Sequence, residues 1–201
     1  MMEIDVSGGR ITLDKELNDL DELVIDFVKV LDRSGIRYVL VSGYVAILFG
    51  RSRSSEDIDV IVEKMSEERF LALSEEIRTS FDCIITDSPK SAYENYLSQR
   101  ASIRFARKGE FVPNIEFMFP KAESLDNWVL ENRRQVVLNG IHLNISPIEL
   151  QIPYKLFLGS SKDIEDARHL YKLFEDALDR ALLAQFLIKL DKEGRFNKYL
   201  A

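Results

Sequence analysis

Asp57 and Asp59 are the residues of this 201-residue chain whose type and spacing most directly imply chemistry. They lie in the stretch YVLVSGYVAILFGRSRSSEDIDVIVE, positions 38–63. One residue separates them, so on a β-strand both carboxylates leave the same face, about 6–7 Å apart. Ile58, Val60 and Val62 then point the other way and can bury. Two carboxylates this close repel each other unless a cation lies between them, and a hard divalent cation with oxygen ligands is the natural neutraliser. Asp-x-Asp is also common on the polar face of a half-solvated strand, so the context decides. Gly43, fourteen residues before Asp57, follows an apolar strand and opens a short helix. Such a turn brings backbone N–H groups and a helix N-terminus towards an anion. Cation and anion sites together point to a Mg²⁺ centre that handles phosphates.

Three further side chains belong to the same argument. Glu116 sits in NIEFMF (114–119), where Ile115, Phe117 and Phe119 share one face and Asn114, Glu116 and Met118 the other. An unpaired buried carboxylate is costly. Glu116 therefore either completes a three-carboxylate cluster beside the Asp57–Asp59 strand or faces solvent on an edge strand. Arg51 and Arg53, in the loop RSRSS, can reach phosphate oxygens, or can stay solvated and pair with Glu56. His142 has no second His or Cys nearby in sequence and reads as a surface or satisfied core residue.

The elements that must position these groups follow from periodicity. Leu17, Leu20, Val24, Phe27 and Leu31, spaced 3, 4, 3 and 4, predict an amphipathic helix over 13–34 with Thr12 as N-cap and Ser34-Gly35 as stop. YVLV (38–41) is an all-apolar, central strand, followed by a helix over 43–49. A helix capped by Ser66 runs to Thr79, a short strand covers 81–85, and 89–98 is helical. SIRFAR (102–107) alternates as a strand with Ile103 and Phe105 inward, and Lys108-Gly109 turns towards 114–119. Asn139-Gly140 between β-rich runs predicts a hairpin over 135–145. From Pro147 the chain is helical, over 147–158, 162–174 and 175–190. The expected fold is α/β (or α+β), a mixed twisted sheet with flanking helices over 1–146 and a helical C-terminal region over 147–201.

Composition narrows the class. A 46% apolar content permits a sizeable core, and a formal charge of −7 argues against a protein that coats nucleic acid through bulk charge. Arg100, Arg104, Arg107 and Lys108 form either a local basic groove for RNA or a solvated strand face. Cys83 is the single cysteine, so no intrachain disulfide forms, and a reducing cytoplasm is expected, with Cys83 a small buried residue. No signal-peptide pattern opens the chain and no apolar run approaches the length of a membrane span.

Val41-Ser42-Gly43 followed by Asp57-Ile58-Asp59-Val60 resembles the nucleotidyltransferase superfamily that includes DNA polymerase β and the antibiotic nucleotidyltransferases. That family carries an apolar–Gly–Gly/Ser turn after a strand, then Asp-apolar-Asp, and a third carboxylate from a neighbouring strand. Ser42 stands where the family usually has Gly, and Glu116 where it usually has Asp. Lys155, Lys162, Asp163 and Asp166 are similar to a tail segment of small nucleotidyltransferases of the toxin–antitoxin and minimal types. The resemblance spans residues 36–174. It implies transfer of an NMP from an NTP, ATP foremost, to a hydroxyl acceptor with release of pyrophosphate. Mg²⁺ or Mn²⁺ would be held by Asp57, Asp59 and Glu116, and Ser42, Gly43, Arg51, Arg53 and Lys155 would contact the nucleotide. Asp163 and Asp166 are expected to cap and pair within the helical layer. The acceptor is left open between a protein, a tRNA and a small molecule, as are a partner protein and the oligomeric state. Ser42 and Glu116 also favour an alternative, a degenerate nucleotide-binding or antitoxin-like module on the same fold.

Overall fold

The computed structural model describes residues 3–7, 10–122 and 124–200. In chain order the elements are β1 (Glu3–Ser7), β2 (Arg10–Asp14), α1 (Asp19–Arg33), β3 (Tyr38–Leu40), α2 (Gly43–Leu48), β4 (Asp57–Val62), α3 (Glu67–Ile77) and β5 (Phe81–Cys83). They continue with α4 (Pro89–Asn95), β6 (Ile103–Arg107), β7 (Asn114–Met118), α5 (Asp126–Glu131), β8 (Arg134–Leu138) and β9 (Ile141–Ile145). Four helices follow: α6 (Ile148–Leu158), α7 (Ser161–Phe174), α8 (Arg180–Lys189) and α9 (Glu193–Tyr199). The strands form one mixed sheet in the order β1-β2-β8-β9-β3-β4-β7-β6-β5, which matches the expected fold class.

Alternation along the central strands divides the sheet into two unlike faces. Tyr38 and Leu40 of β3, Ile58, Val60 and Val62 of β4, and Ile115 and Phe117 of β7 all enter the main core. Phe27 of α1 meets them there, its ring 5.2 Å from Phe81 at 82° and 6.4 Å from Phe117 at 78°, the edge-to-face geometry that aromatic quadrupoles favour. On the other face Val39 and Ile61 pack with Val129 and Leu130 of α5, Leu150 of α6 and Phe186 of α8, with Met118 at the margin. That second cluster covers only the Ile61–Met118 end of its face. The other end carries Asp57, Asp59, Asn114 and Glu116.

The N-terminal expectation needs correction. Residues 10–14 form a strand, because Ile11 and Leu13 alternate inward with period two, and Thr12 caps nothing. α1 starts at Asp19 behind a capping box in which the Asn18 side chain accepts from Asp21 N–H and the Asp21 carboxylate accepts from Asn18 N–H. The last long helix starts at Arg180, later than expected, because the Asp179 carboxylate caps it through Ala181 and Leu182 N–H. α5 and α9 carry no strong periodic pattern and were not expected. Cys83 is half-exposed, where a buried residue was expected.

Asp21 joins the fold to the turn that matters for function. It is fully buried, pairs with Lys15 Nζ at 2.8 Å, and accepts from the Tyr44 hydroxyl at 2.9 Å. Tyr44 is the second residue of α2, so Asp21 anchors the first turn of that helix. Asp21→Ala removes a cap and both partners at once and is expected to cost about 3–5 kcal/mol in chemical denaturation. A loss below about 1 kcal/mol, the size of a cap alone, would show that the Lys15 and Tyr44 contacts add nothing.

Candidate functional site

The turn between β3 and α2 is strained. Ser42 has φ 61 and ψ −128, a region at ease only for glycine and costing other residues on the order of 1–3 kcal/mol. The resembled family's usual Gly at this position thus has a conformational reason. Ser42 does not cap α2. Its side chain hydrogen-bonds towards Asp59, and Val41 N–H donates to the Asp59 carbonyl at 3.1 Å. A Cβ at Gly43 would meet the Arg53 guanidinium, so any side chain there would displace the end of Arg53.

β4 and β7 pair in parallel with Asp57 opposite Asn114 and Asp59 opposite Glu116. The structure therefore places all three expected carboxylates on one face of two adjacent strands. Burial pushes the Asp59 carboxyl up to about 6, and the Glu116 and Asp57 charges add to the rise. Hydrogen bonding from Ser42 and the charge of Lys155 oppose it.

The expected three-carboxylate cage is nevertheless not assembled. Glu116 accepts from the Ser102 hydroxyl at 2.6 Å and pairs with Arg104 at 3.3 Å. Among the described residues no three His, Cys, Asp or Glu side chains are gathered closely enough to hold a metal ion. The donor chemistry of Asp57 and Asp59 still fits a hard cation: both offer only oxygen, and Asp59 is a half-buried acid crowded by like charge. Glu116 fits only after leaving Ser102 and Arg104.

The basic residues expected at phosphates converge elsewhere. Lys155 is 1% exposed, with Nζ 2.8 Å from Asp163 Oδ1 and 3.1 Å from Asp166 Oδ2. Arg53 Nε lies 3.3 Å and Arg51 Nε 3.9 Å from Asp166 Oδ1. Asp166 is fully buried, and its two oxygens and Arg53 Nε have ion partners but no aligned hydrogen bond. So Lys155 does not project freely towards a nucleotide, Arg53 is held at the Asp166 carboxylate, and the partly exposed Arg51 lies at its edge, with Glu56 paired to neither. Asp163 pairs within the helical layer as expected, with Lys155 of α6, the Ser160 hydroxyl and the Lys162 charge, and Asp166 pairs both with Lys155 and with the loop before β4. Arg168 pairs with Glu165, and His169 Nε2 lies 2.8 Å from the Phe49 carbonyl. Asp166, expected to pair within the helical layer, does so through Lys155 and in addition draws in Arg51 and Arg53. The i, i+3 spacing of Asp163 and Asp166 signals the shared pairing, since it puts both on one side of α7.

The other candidates are settled by their surroundings. His142 is exposed. Arg104 pairs with Glu116 at 3.3 Å and Arg107 with Asp26 at 2.7 Å, and both guanidinium groups stay partly exposed in these surface pairs.

No protein-family model matches the chain, and no curated protein matches it. An antigenic nucleotidyltransferase-like protein from Paracoccidioides brasiliensis aligns in three dimensions with a TM-score of 0.54 at 17% identity, over 88% of this chain and 89% of that one. The fold is nucleotidyltransferase-like. The solution structure of the antibiotic-resistance factor ANT(2'')-Ia aligns over 90% of this chain and 99% of that one, at 11% identity and a TM-score of 0.48. Identity this low speaks for the fold alone, and the activity has to be argued from this chain's own side chains.

Asp59 yields a pH signature. Its folded value near 6 lies above the ordinary 3.8, so the folded state holds the proton more tightly than the unfolded chain does. The associated stability is complete below the ordinary value and is lost as the pH rises through about 6. Without added metal, Asp59→Asn should melt higher than wild type at a pH of about 8, and the gap should close at a pH of about 4. Thermal melts at the two pH values read this directly. A constant gap would mean that Asp59 ionises normally in the folded protein.

Proposed function

We propose that this chain is a metal-dependent nucleotidyltransferase that moves an NMP from an NTP to a hydroxyl acceptor. The observation that carries this reading is the β4–β7 register, which sets Asp59 beside Glu116 with Asp57 on the same face, next to the Ser42-Gly43 turn. Three acids at that place have no structural use for one another, since each raises the cost of ionising the next.

Asp57 and Asp59 would hold Mg²⁺ or Mn²⁺, joined by Glu116 when it exchanges Ser102 and Arg104 for the cation. Such an ion would neutralise triphosphate charge and acidify the acceptor hydroxyl. The protein's own contribution is position and field. Asp59, holding its proton more tightly than an ordinary carboxyl, gives it up when positive charge arrives. Arg51 and Arg53 can exchange the Asp166 carboxylate for phosphate oxygens, to which guanidinium geometry is well suited. Lys155 stays in its buried pairs and acts on Asp59 through its charge. The acceptor oxygen then bonds to the α-phosphorus as the bond to the bridging oxygen breaks, and pyrophosphate leaves.

ATP is the first nucleotide to test. A protein side chain, a tRNA end and an aminoglycoside-like molecule all suit the site as acceptors. The tail that carries Lys155, Asp163 and Asp166 resembles that of toxin–antitoxin and minimal types, and a cytoplasmic setting is proposed with it, with which a single cysteine is compatible. No helix among the described residues is long and apolar enough to cross a membrane.

A second reading is a nucleotide-binding or antitoxin-like module without turnover. The engagement of Glu116 by Ser102 and Arg104 favours it. Calorimetry with Mg²⁺ and each of ATP, CTP, GTP and UTP, alongside pyrophosphate release in cell extract, separates the two. The transferase reading predicts binding and release in wild type. In Asp57→Ala/Asp59→Ala both should fall by at least roughly a hundredfold while the fold is kept. Binding without pyrophosphate release would favour the module, and no binding of any nucleotide would contradict the transferase.

A further inference from the structure

α6 leads from the second apolar cluster out to the candidate site. Leu150 packs with Val39 and Ile61. Tyr154, Phe157 and Leu158 follow on the same side of the helix, at the i+4, i+7 and i+8 positions, and are 40%, 50% and 47% exposed. A run of large side chains on an otherwise buried helix asks for an occupant. The Tyr154 and Phe157 rings stack, centroids 6.0 Å apart and planes 25° from parallel. Lys192 Nζ lies 5.4 Å from the Phe157 ring centroid, which braces that member of the pair. Tyr154 is also the chain neighbour of Lys155, whose Nζ reaches the Asp163–Asp166 pair. Its hydroxyl is pushed above the ordinary range by burial first, then by the charges of Asp126, Asp59 and Asp163. The ring therefore lies within the field of the carboxylate face, and its hydroxyl remains a donor at neutral pH.

We propose that Tyr154, braced by Phe157, is the platform on which the base of a nucleotide stacks while its phosphates lie at Asp57 and Asp59. The inference rests on the nucleotide reading above and adds the residue that would hold the base. A preformed ring pair loses little freedom on binding. Every base presents a π face, so the platform supplies affinity rather than base choice. A hydroxyl donor at its rim can then favour bases or riboses that offer an acceptor there.

The test compares a ligand with a base and one without. Wild type, Tyr154→Ala and Tyr154→Phe are titrated by calorimetry with ATP and with inorganic tripolyphosphate, both in excess Mg²⁺. Tyr154→Ala should weaken ATP about tenfold and leave tripolyphosphate unchanged, while Tyr154→Phe should keep ATP within about twofold of wild type. Equal loss for both ligands, no loss for either, or a Tyr154→Phe defect as large as that of Tyr154→Ala would overturn the platform and leave the nucleotide reading standing. Failure of wild type to bind either ligand would overturn both.

Discussion

Asp59 and Glu116 face each other across the parallel pairing of β4 and β7, and everything attributed to the site depends on that register. It is set from the opposite face of the sheet. Ile58 pairs with Ile115 and Val60 with Phe117, all four fully buried in the main core. Phe117 is in turn ringed by Phe27, Phe70 and Phe105. A slip of one residue would turn Phe117 to the polar face and drive the acids into the aromatic core. The apolar side thus dictates where the carboxylates stand, and they in turn bear a repulsion that the core can absorb.

A second constraint comes from the helices after β9. Lys155 of α6, Asp163 and Asp166 of α7, and Arg51 and Arg53 of the loop before β4 form one buried charge group. A buried ion cluster adds little net stability over apolar packing, and removing one member leaves the others uncompensated. Its value here is connection. Arg53 touches both Asp166 and the open side of Gly43, so a change at the turn is felt by the C-terminal helices. The unaligned hydrogen-bonding groups on Arg53 and Asp166 mark this contact as the least satisfied part of the group.

Much of this was legible in the sequence because it depends on period two. The Asp57–Asp59 pair and the inward set of β4 and β7 follow from alternation, and the Asn139-Gly140 hairpin from its turn residues, whereas the adjacency of Glu116 and Asp59 was one of two readings that the β4–β7 register decides. The N-terminal hairpin was misread because Thr12 looks like a cap and Leu17 and Leu20 extend the helical pattern backwards. The Asn18–Asp21 capping box, which starts α1 where it does, was the better signal. The fates of Lys155, Arg51 and Arg53 were not legible, since they turn on how α6, α7 and a loop come together in space. Glu116 lies between. Its strand and face were readable, but its capture by Ser102 and Arg104 depends on the antiparallel register of β6 with β7, which puts Arg104 directly opposite it.

The most direct test of the account is where a divalent cation binds. Crystals grown with Mn²⁺ and a non-hydrolysable ATP analogue would be measured for anomalous scattering. The account predicts a peak coordinated by both Asp57 and Asp59, with Glu116 turned away from Ser102 towards it. A peak elsewhere, or nucleotide bound with Asp57 and Asp59 untouched, would contradict it.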